Sequence, residues 1–165
     1  MTKMLKSIIA GAAVLIGACF IGQTQPVQAA DDYALRLAED NQWYYYQDDE
    51  VDTAYQGLAL KEYGWWYVSD GTIDWDYAGM ALNDYGWWYV SNGTVDFNYT
   101  GMALNEYGWW YFNNGVLDLS YTGMALNDYG WWYFNKGHLD LSYTGMARNE
   151  YGWWYFENGL LNEEY

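Results

Sequence analysis

The chain has very little with which to do covalent or redox chemistry. It holds one cysteine, Cys19, and one histidine, His138, in 165 residues. Cys19 precedes a predicted cleavage point after Ala29, so a chain cut there has no disulfide, no thiol chemistry and no cysteine metal site. His138 follows a turn, at a place other copies of the same motif fill with Thr72, Thr94, Val116 and Leu160. It therefore reads as a variable exposed position rather than a catalytic or metal-binding one. Basic charge is also scarce: six Lys and Arg face 22 Asp and Glu, for a net charge of −16. All the acids lie after Ala29, with only Arg36, Lys61, Lys136 and Arg148 against them, so the cut chain carries 4 − 22 = −18. Such a balance excludes nucleic acid, which needs cationic neutralisation of its phosphates. It also disfavours anionic membrane and bare polyphosphate. Disorder, the usual state of very acidic chains, is excluded by an aromatic content of 22%.

What the chain does have is order along its length. Tyr-Gly-Trp-Trp-Tyr starts at Tyr63, Tyr85, Tyr107, Tyr129 and Tyr151, always 22 residues apart. A fixed period of this length marks a repeat protein. A sixth, degenerate copy precedes the others at Asn41-Gln42-Trp43-Tyr44-Tyr45-Tyr46, with Gln42 and Asp49 in place of two glycines. A degenerate terminal copy is expected where a solenoid is capped.

Within one copy, Trp109-Trp110-Tyr111-Phe112 reads as a strand by its aromatic content. Asn114-Gly115 then signals a two-residue type I′ hairpin turn, and the slot recurs as Asp70-Gly71, Asn92-Gly93, Lys136-Gly137 and Asn158-Gly159. Leu117, Leu119 and Tyr121 alternate with Asp118, Ser120 and Thr122 in a second strand, and Gly123 to Asn127 links to the next copy. The predicted fold is all-β, a solenoid of stacked β-hairpins in six 22-residue repeats, since one hairpin alone is marginal in water. Counting outward from the turn pairs Phe112 with Leu117, Tyr111 with Asp118, Trp110 with Leu119 and Trp109 with Ser120. On that register the second Trp of each pair is core and the first faces out beside a Tyr and an Asp. The candidate ligand-binding residues are thus Trp65, Tyr67, Asp74, Trp87, Tyr89, Asp96, Trp109, Tyr111, Asp118, Trp131, Tyr133, Asp140, Trp153 and Tyr155. An aromatic wall beside a carboxylate suits a quaternary ammonium, and equally a sugar ring stacked on Trp. The acids recur with the period, which marks structure rather than a unique catalytic constellation, so no enzyme, cofactor or metal is expected.

Residues 1–29 read as a signal peptide: Lys3 and Lys6 precede an apolar run from Ile8 to Ile21, and Val27-Gln28-Ala29 offers a cleavage site. The run is too short for a comfortable membrane span and none follows. The alternative is a lipid anchor, with Leu15-Ile16-Gly17-Ala18-Cys19 as lipobox and Cys19 as the lipidated residue. Residues 30–42 then form an N-terminal cap and half-linker, and 43–165 the six-hairpin domain.

In its order of residues the chain resembles the cell-wall-binding repeats of Gram-positive surface proteins, the group that includes choline-binding repeats. Thr122-Gly123-Met124, Gly130, Trp132-Tyr133-Phe134, Gly137 and Leu139 follow that motif, and the other copies do likewise. The resemblance implies stacked hairpins and a secreted, wall-associated, non-enzymatic module. It implies ligand cages built between successive hairpins from tryptophans and a tyrosine, with choline on teichoic acid or a glycan as ligand. One wall departs from the motif: Leu58, Met80, Met102, Met124 and Met146 stand where the family has Trp. Either the extra Trp of each pair replaces that wall, or the ligand differs. A protein-interaction scaffold, or a homodimer through exposed aromatics, is the further alternative.

Overall fold

The computed structural model describes residues 34–62 and 64–164. The predicted signal segment and Cys19 lie outside the described residues. Six units of three antiparallel strands succeed one another. Unit 1 holds β1 (Leu35–Leu37), β2 (Trp43–Gln47) and β3 (Glu50–Val51); unit 2 holds β4 (Gly57–Lys61), β5 (Gly64–Ser69) and β6 (Thr72–Ile73). Unit 3 holds β7 (Gly79–Asn83), β8 (Gly86–Ser91) and β9 (Thr94–Val95); unit 4 holds β10 (Gly101–Asn105), β11 (Gly108–Asn113) and β12 (Val116–Leu117). Unit 5 holds β13 (Gly123–Asn127), β14 (Gly130–Asn135) and β15 (His138–Leu139); unit 6 holds β16 (Gly145–Asn149), β17 (Gly152–Glu157) and β18 (Leu160–Leu161). The fold is all-β, as predicted.

The predicted turn forms. Asn114 and Gly115 both take positive φ, 51° and 75°, as a type I′ turn requires. Phe112 then faces Leu117 across the hairpin, as counted from the sequence. The Asp118 amide still donates to the carbonyl of Tyr111, its counted partner, at 2.9 Å, and beyond it the register departs from the count. The last strand of each unit is two residues long, and the chain leaves the sheet at Asp118. Its expected partners on β11 are already engaged by the following unit. Trp110 pairs with His138, and the Tyr111 amide donates to the Gly137 carbonyl at 2.8 Å. The edge that Leu119 and Ser120 would have used belongs to the next hairpin's turn.

The segment predicted as a link is also a strand. Gly101 to Asn105 pairs along its whole length with β11, so Trp109 faces Leu104 and Trp110 faces Ala103. Met-Ala-Leu lacks the β-branched and aromatic residues that mark strands locally. It is a strand because the neighbouring aromatic strand has an open edge to offer.

Asp118 turns the chain back. Its Oδ1 accepts from the Ser120 amide at 2.9 Å, and the ring of Tyr121 stacks on Tyr111 at 3.5 Å. The Tyr121 hydroxyl donates to the Met124 carbonyl at 2.6 Å, tying the turn to the start of the next unit. Stacked pairs Tyr45–Tyr55, Tyr67–Tyr77, Tyr89–Tyr99 and Tyr133–Tyr143 repeat the device. Burial pushes the hydroxyls of Tyr55, Tyr77, Tyr99 and Tyr121 up to about 12.

The core sits between units, not within them. Met80 of unit 3 packs with Ala103 and Phe112 of unit 4, walled by Trp87, Tyr89 and Tyr99 on one side and Trp110 and Leu117 on the other. The same cluster recurs at each junction, down to Leu35 with Ala59, Val68 and Ile73 at the first. Phe112, Phe134 and Phe156 are fully buried, each contributing roughly 1.5–3 kcal/mol of transfer energy. The turn glycines mark how closely units approach. A Cβ on Gly71 would lie 2.5 Å from the Asp52 carbonyl oxygen of the unit before it.

Candidate functional site

A cavity of about 360 Å³ opens at the junction of units 5 and 6, lined by Met124, Trp131, Asn149, Tyr151, Trp154 and Leu161. Unit 5 supplies Met124 and Trp131, and unit 6 supplies the other four. β13 and β14 set Met124 opposite Tyr133, which turns the thioether toward the junction. Tyr151 heads the β16–β17 turn, three residues before Trp154.

Asn149 organises this wall. Its Oδ1 accepts from the Tyr151 amide at 2.9 Å, the Gly152 amide at 3.2 Å and the Trp154 indole N–H at 2.9 Å. The indole is thereby fixed by its edge. Asn83, Asn105 and Asn127 hold Trp88, Trp110 and Trp132 in the same way, at 2.8, 3.0 and 3.0 Å. The 22-residue period therefore places the same Trp, Asn, Tyr and Trp set at the three junctions between units 2 and 5. Trp65 meets Tyr85 edge-on at 5.8 Å across the junction of units 2 and 3.

The chemistry of this lining is selective. It offers two indoles, a phenol, a thioether and a leucine, with no charged side chain. The Asn149 oxygen already accepts three bonds. A guest with N–H or O–H donors would lose hydrogen bonds on entry, at a cost of roughly 1–3 kcal/mol each. A quaternary ammonium has no donors to lose, and aromatic faces attract it by ~0.5–2 kcal/mol per contact.

The residues expected from the sequence divide into three groups. Trp65, Trp87, Trp109 and Trp131 stand at junctions, each on the earlier unit's wall, half-buried. Trp153 is 61% exposed, in the last described unit. Tyr67, Tyr89, Tyr111 and Tyr133 are occupied in the ring stacks, and Tyr155 is half-buried. Asp74, Asp96, Asp118 and Asp140 accept from the backbone amides two residues ahead, at 3.1, 2.9, 2.9 and 3.0 Å. Hydrogen bonds from Ser120 and Ser142 hold the carboxyls of Asp118 and Asp140 below the usual range. So the structure gathers Trp65, Trp87, Trp109 and Trp131 into the junctions, leaves Trp153 open, and gives the Tyr and Asp tasks in packing and turns. Nor does it divide each Trp pair into core and surface, because both members are half-buried in the internal units.

Sequence reasoning missed Tyr151, Trp154, Asn149 and Met124, and their counterparts in the other copies. It sought the site on one hairpin face, whereas the walls come from two units. The methionine that replaces the family's tryptophan is itself a wall, alongside the extra Trp.

Fold and site together define a class: a repeat protein with an aromatic pocket made where two units stack. The family follows from comparison. Residues 54–74, 76–96, 98–118, 120–140 and 142–162 each match the choline-binding repeat model. The chain belongs to the choline-binding repeat family. Among solved structures it is similar to choline binding protein F of Streptococcus pneumoniae, at 21% identity, with a TM-score of 0.29, covering 78% of this chain and 44% of that one. The match thus spans less than half of that protein. No curated protein sequence matches.

Proposed function

We propose that this chain is a non-enzymatic, exported surface module that binds choline groups on a cell-wall polymer through pockets between successive units. The observation that carries the reading is the junction of units 5 and 6, where Trp131, Tyr151, Trp154 and Met124 surround a cavity with no unspent acceptor on Asn149. A trimethylammonium group is the guest that loses least on entering it. Single sites of this kind are weak. Several in a row on one polymer raise the overall affinity by effective concentration, without any single tight contact. Acidic charge over the surface attracts cationic substituents and repels the polymer's competitors among polyanions. Export through residues 1–29 places the module where such a polymer lies, with lipidation at Cys19 the alternative means of retention.

The test is co-sedimentation of residues 30–165 with purified Gram-positive walls, followed by a wash with excess choline. Pelleting and release by choline are the expected results. Pelleting that resists choline points instead to a glycan. A protein that stays in the supernatant contradicts wall binding.

A further inference from the structure

One junction differs from the rest in a way that bears on how many pockets work. At the four later junctions an asparagine, Asn83, Asn105, Asn127 or Asn149, ends the first strand of the unit and anchors the indole of its second Trp. Between units 1 and 2 that position is Lys61, which pairs with Gly64 as Asn83 pairs with Gly86. Apolar and aromatic side chains again pack around it. Leu35 stands opposite Tyr45 as Leu58 stands opposite Tyr67, and Trp43 and Trp66 flank the junction as Trp131 and Trp154 flank the last.

Into this junction Lys61 delivers its own cation. Its Nζ lies 4.0 Å from the centre of the Trp43 ring and 5.8 Å from that of Trp66. The side chain is only 14% exposed, although lysine ordinarily keeps its ammonium in water. Glu62 stands 3.6 Å from the ammonium and balances its charge. Two indoles around a positive nitrogen is the arrangement the proposed ligand would adopt at the other junctions. Here the cation is tethered to the chain, at an effective concentration in the millimolar range or above.

We infer that Lys61 is an internal ligand that occupies the first junction and closes it to external choline. This rests on the reading of the junctions as choline sites. Six units make 6 − 1 = 5 junctions, and with one self-occupied 5 − 1 = 4 remain for the polymer. The first junction then acts as a fixed cap whose cation–π contact secures unit 1 to unit 2, while the others exchange ligand. The degenerate copy is therefore specialised, its pocket filled from within.

The experiment is a calorimetric choline titration of residues 30–165 beside Lys61→Asn, which restores the residue of the other units, and Lys61→Gln as a second neutral variant. Near-UV circular dichroism checks that the tryptophans keep their packing. In the unaltered protein, NMR of the Lys61 ε-methylene protons reads the contact without any ligand. The expected result is an upfield ring-current shift that choline does not move, and one additional choline bound per chain in a folded variant. An unshifted Lys61 signal, or a signal that choline displaces, overturns the inference. So does choline binding by the unaltered protein with no added site in either variant. If the unaltered protein binds no choline at all, the reading of the pockets fails, and the plug fails with it for want of a ligand to exclude.

Discussion

Met124 and Met146 hold the same place in consecutive units, yet Met124 is 8% exposed and Met146 52%. Trp131 and Trp153 diverge likewise, the first half-buried and the second open to solvent. The local sequences are nearly the same, so the difference lies in the neighbouring unit. Unit 5 has unit 6 packed on it, and the corresponding face of unit 6 has no described unit against it. The first unit shows the converse. Gly71 sits against the Asp52 backbone of the unit before it, whereas Asp49, at the same place one period earlier, pairs with Arg36 at 2.8 Å. A unit is thus a strand pattern with half a core on each side, and the core is completed at junctions.

That comparison breaks most sharply at the turn glycines. Gly71→Ala adds a Cβ 2.5 Å from the Asp52 carbonyl oxygen, at a φ of +75°. It is expected to cost about 4 kcal/mol, combining left-handed strain with a backbone collision. Asp49→Ala, with only an exposed ion pair and a left-handed turn residue to lose, is expected to cost about 1 kcal/mol. Urea denaturation of both variants measures the gap, and equal losses would show that the turn is not an inter-unit contact.

Truncating the methionines is the next largest effect. Met124→Ala empties a junction and is expected to destabilise by about 2–4 kcal/mol. Met146→Ala should cost less than about 0.5 kcal/mol, as for other exposed substitutions. Denaturation midpoints that move together would contradict a core divided between units.

Alkaline titration sharpens the same point through the ring stacks. An unfolded tyrosine ionises near 10, whereas burial raises Tyr55, Tyr77, Tyr99 and Tyr121 to about 12. The folded state therefore favours the neutral phenol. Its contribution is complete below pH 10 and is lost as pH rises from 10 through 12. These rings are partly open to solvent, so screening reduces each contribution to about 1 kcal/mol or less. Melting temperature followed from pH 8 to 12 should stay level up to 10 and fall beyond it. A level profile to pH 12 would mean that the stacks are open.

The smallest contrast concerns binding. Trp131→Ala removes one wall of the last cavity, with an expected tenfold loss of choline affinity at that site, or ~1.4 kcal/mol. Asp140→Asn alters a turn carboxylate outside the lining and should leave affinity within about twofold. Titration of each variant separates them, and a larger effect from Asp140 would return the site to the hairpin face.

The sequence carries the parts of this structure that repeat locally. The period shows in Tyr-Gly-Trp-Trp-Tyr, and Asn-Gly and its equivalents announce positive φ at each turn by residue type alone. What it hides is decided between copies. Gly101 to Asn105 has weak strand character and becomes a strand by filling the edge of β11. Alternation predicts a second strand as far as Thr122, but it stops at Leu117 because β15 of the next unit holds that edge. The pocket was hidden for the same reason. Trp131 and Trp154 are 23 residues apart and meet only when units stack, whereas Trp131, Tyr133 and Asp140 align on one hairpin when it is drawn alone.

The direct test of the central claim is a crystal structure of residues 30–165 grown with choline. The trimethylammonium group is predicted between Trp131, Tyr151 and Trp154, within about 6 Å of the ring centres. Choline bound instead beside Tyr133 and Asp140, or density absent from the junction at saturating ligand, would contradict the account.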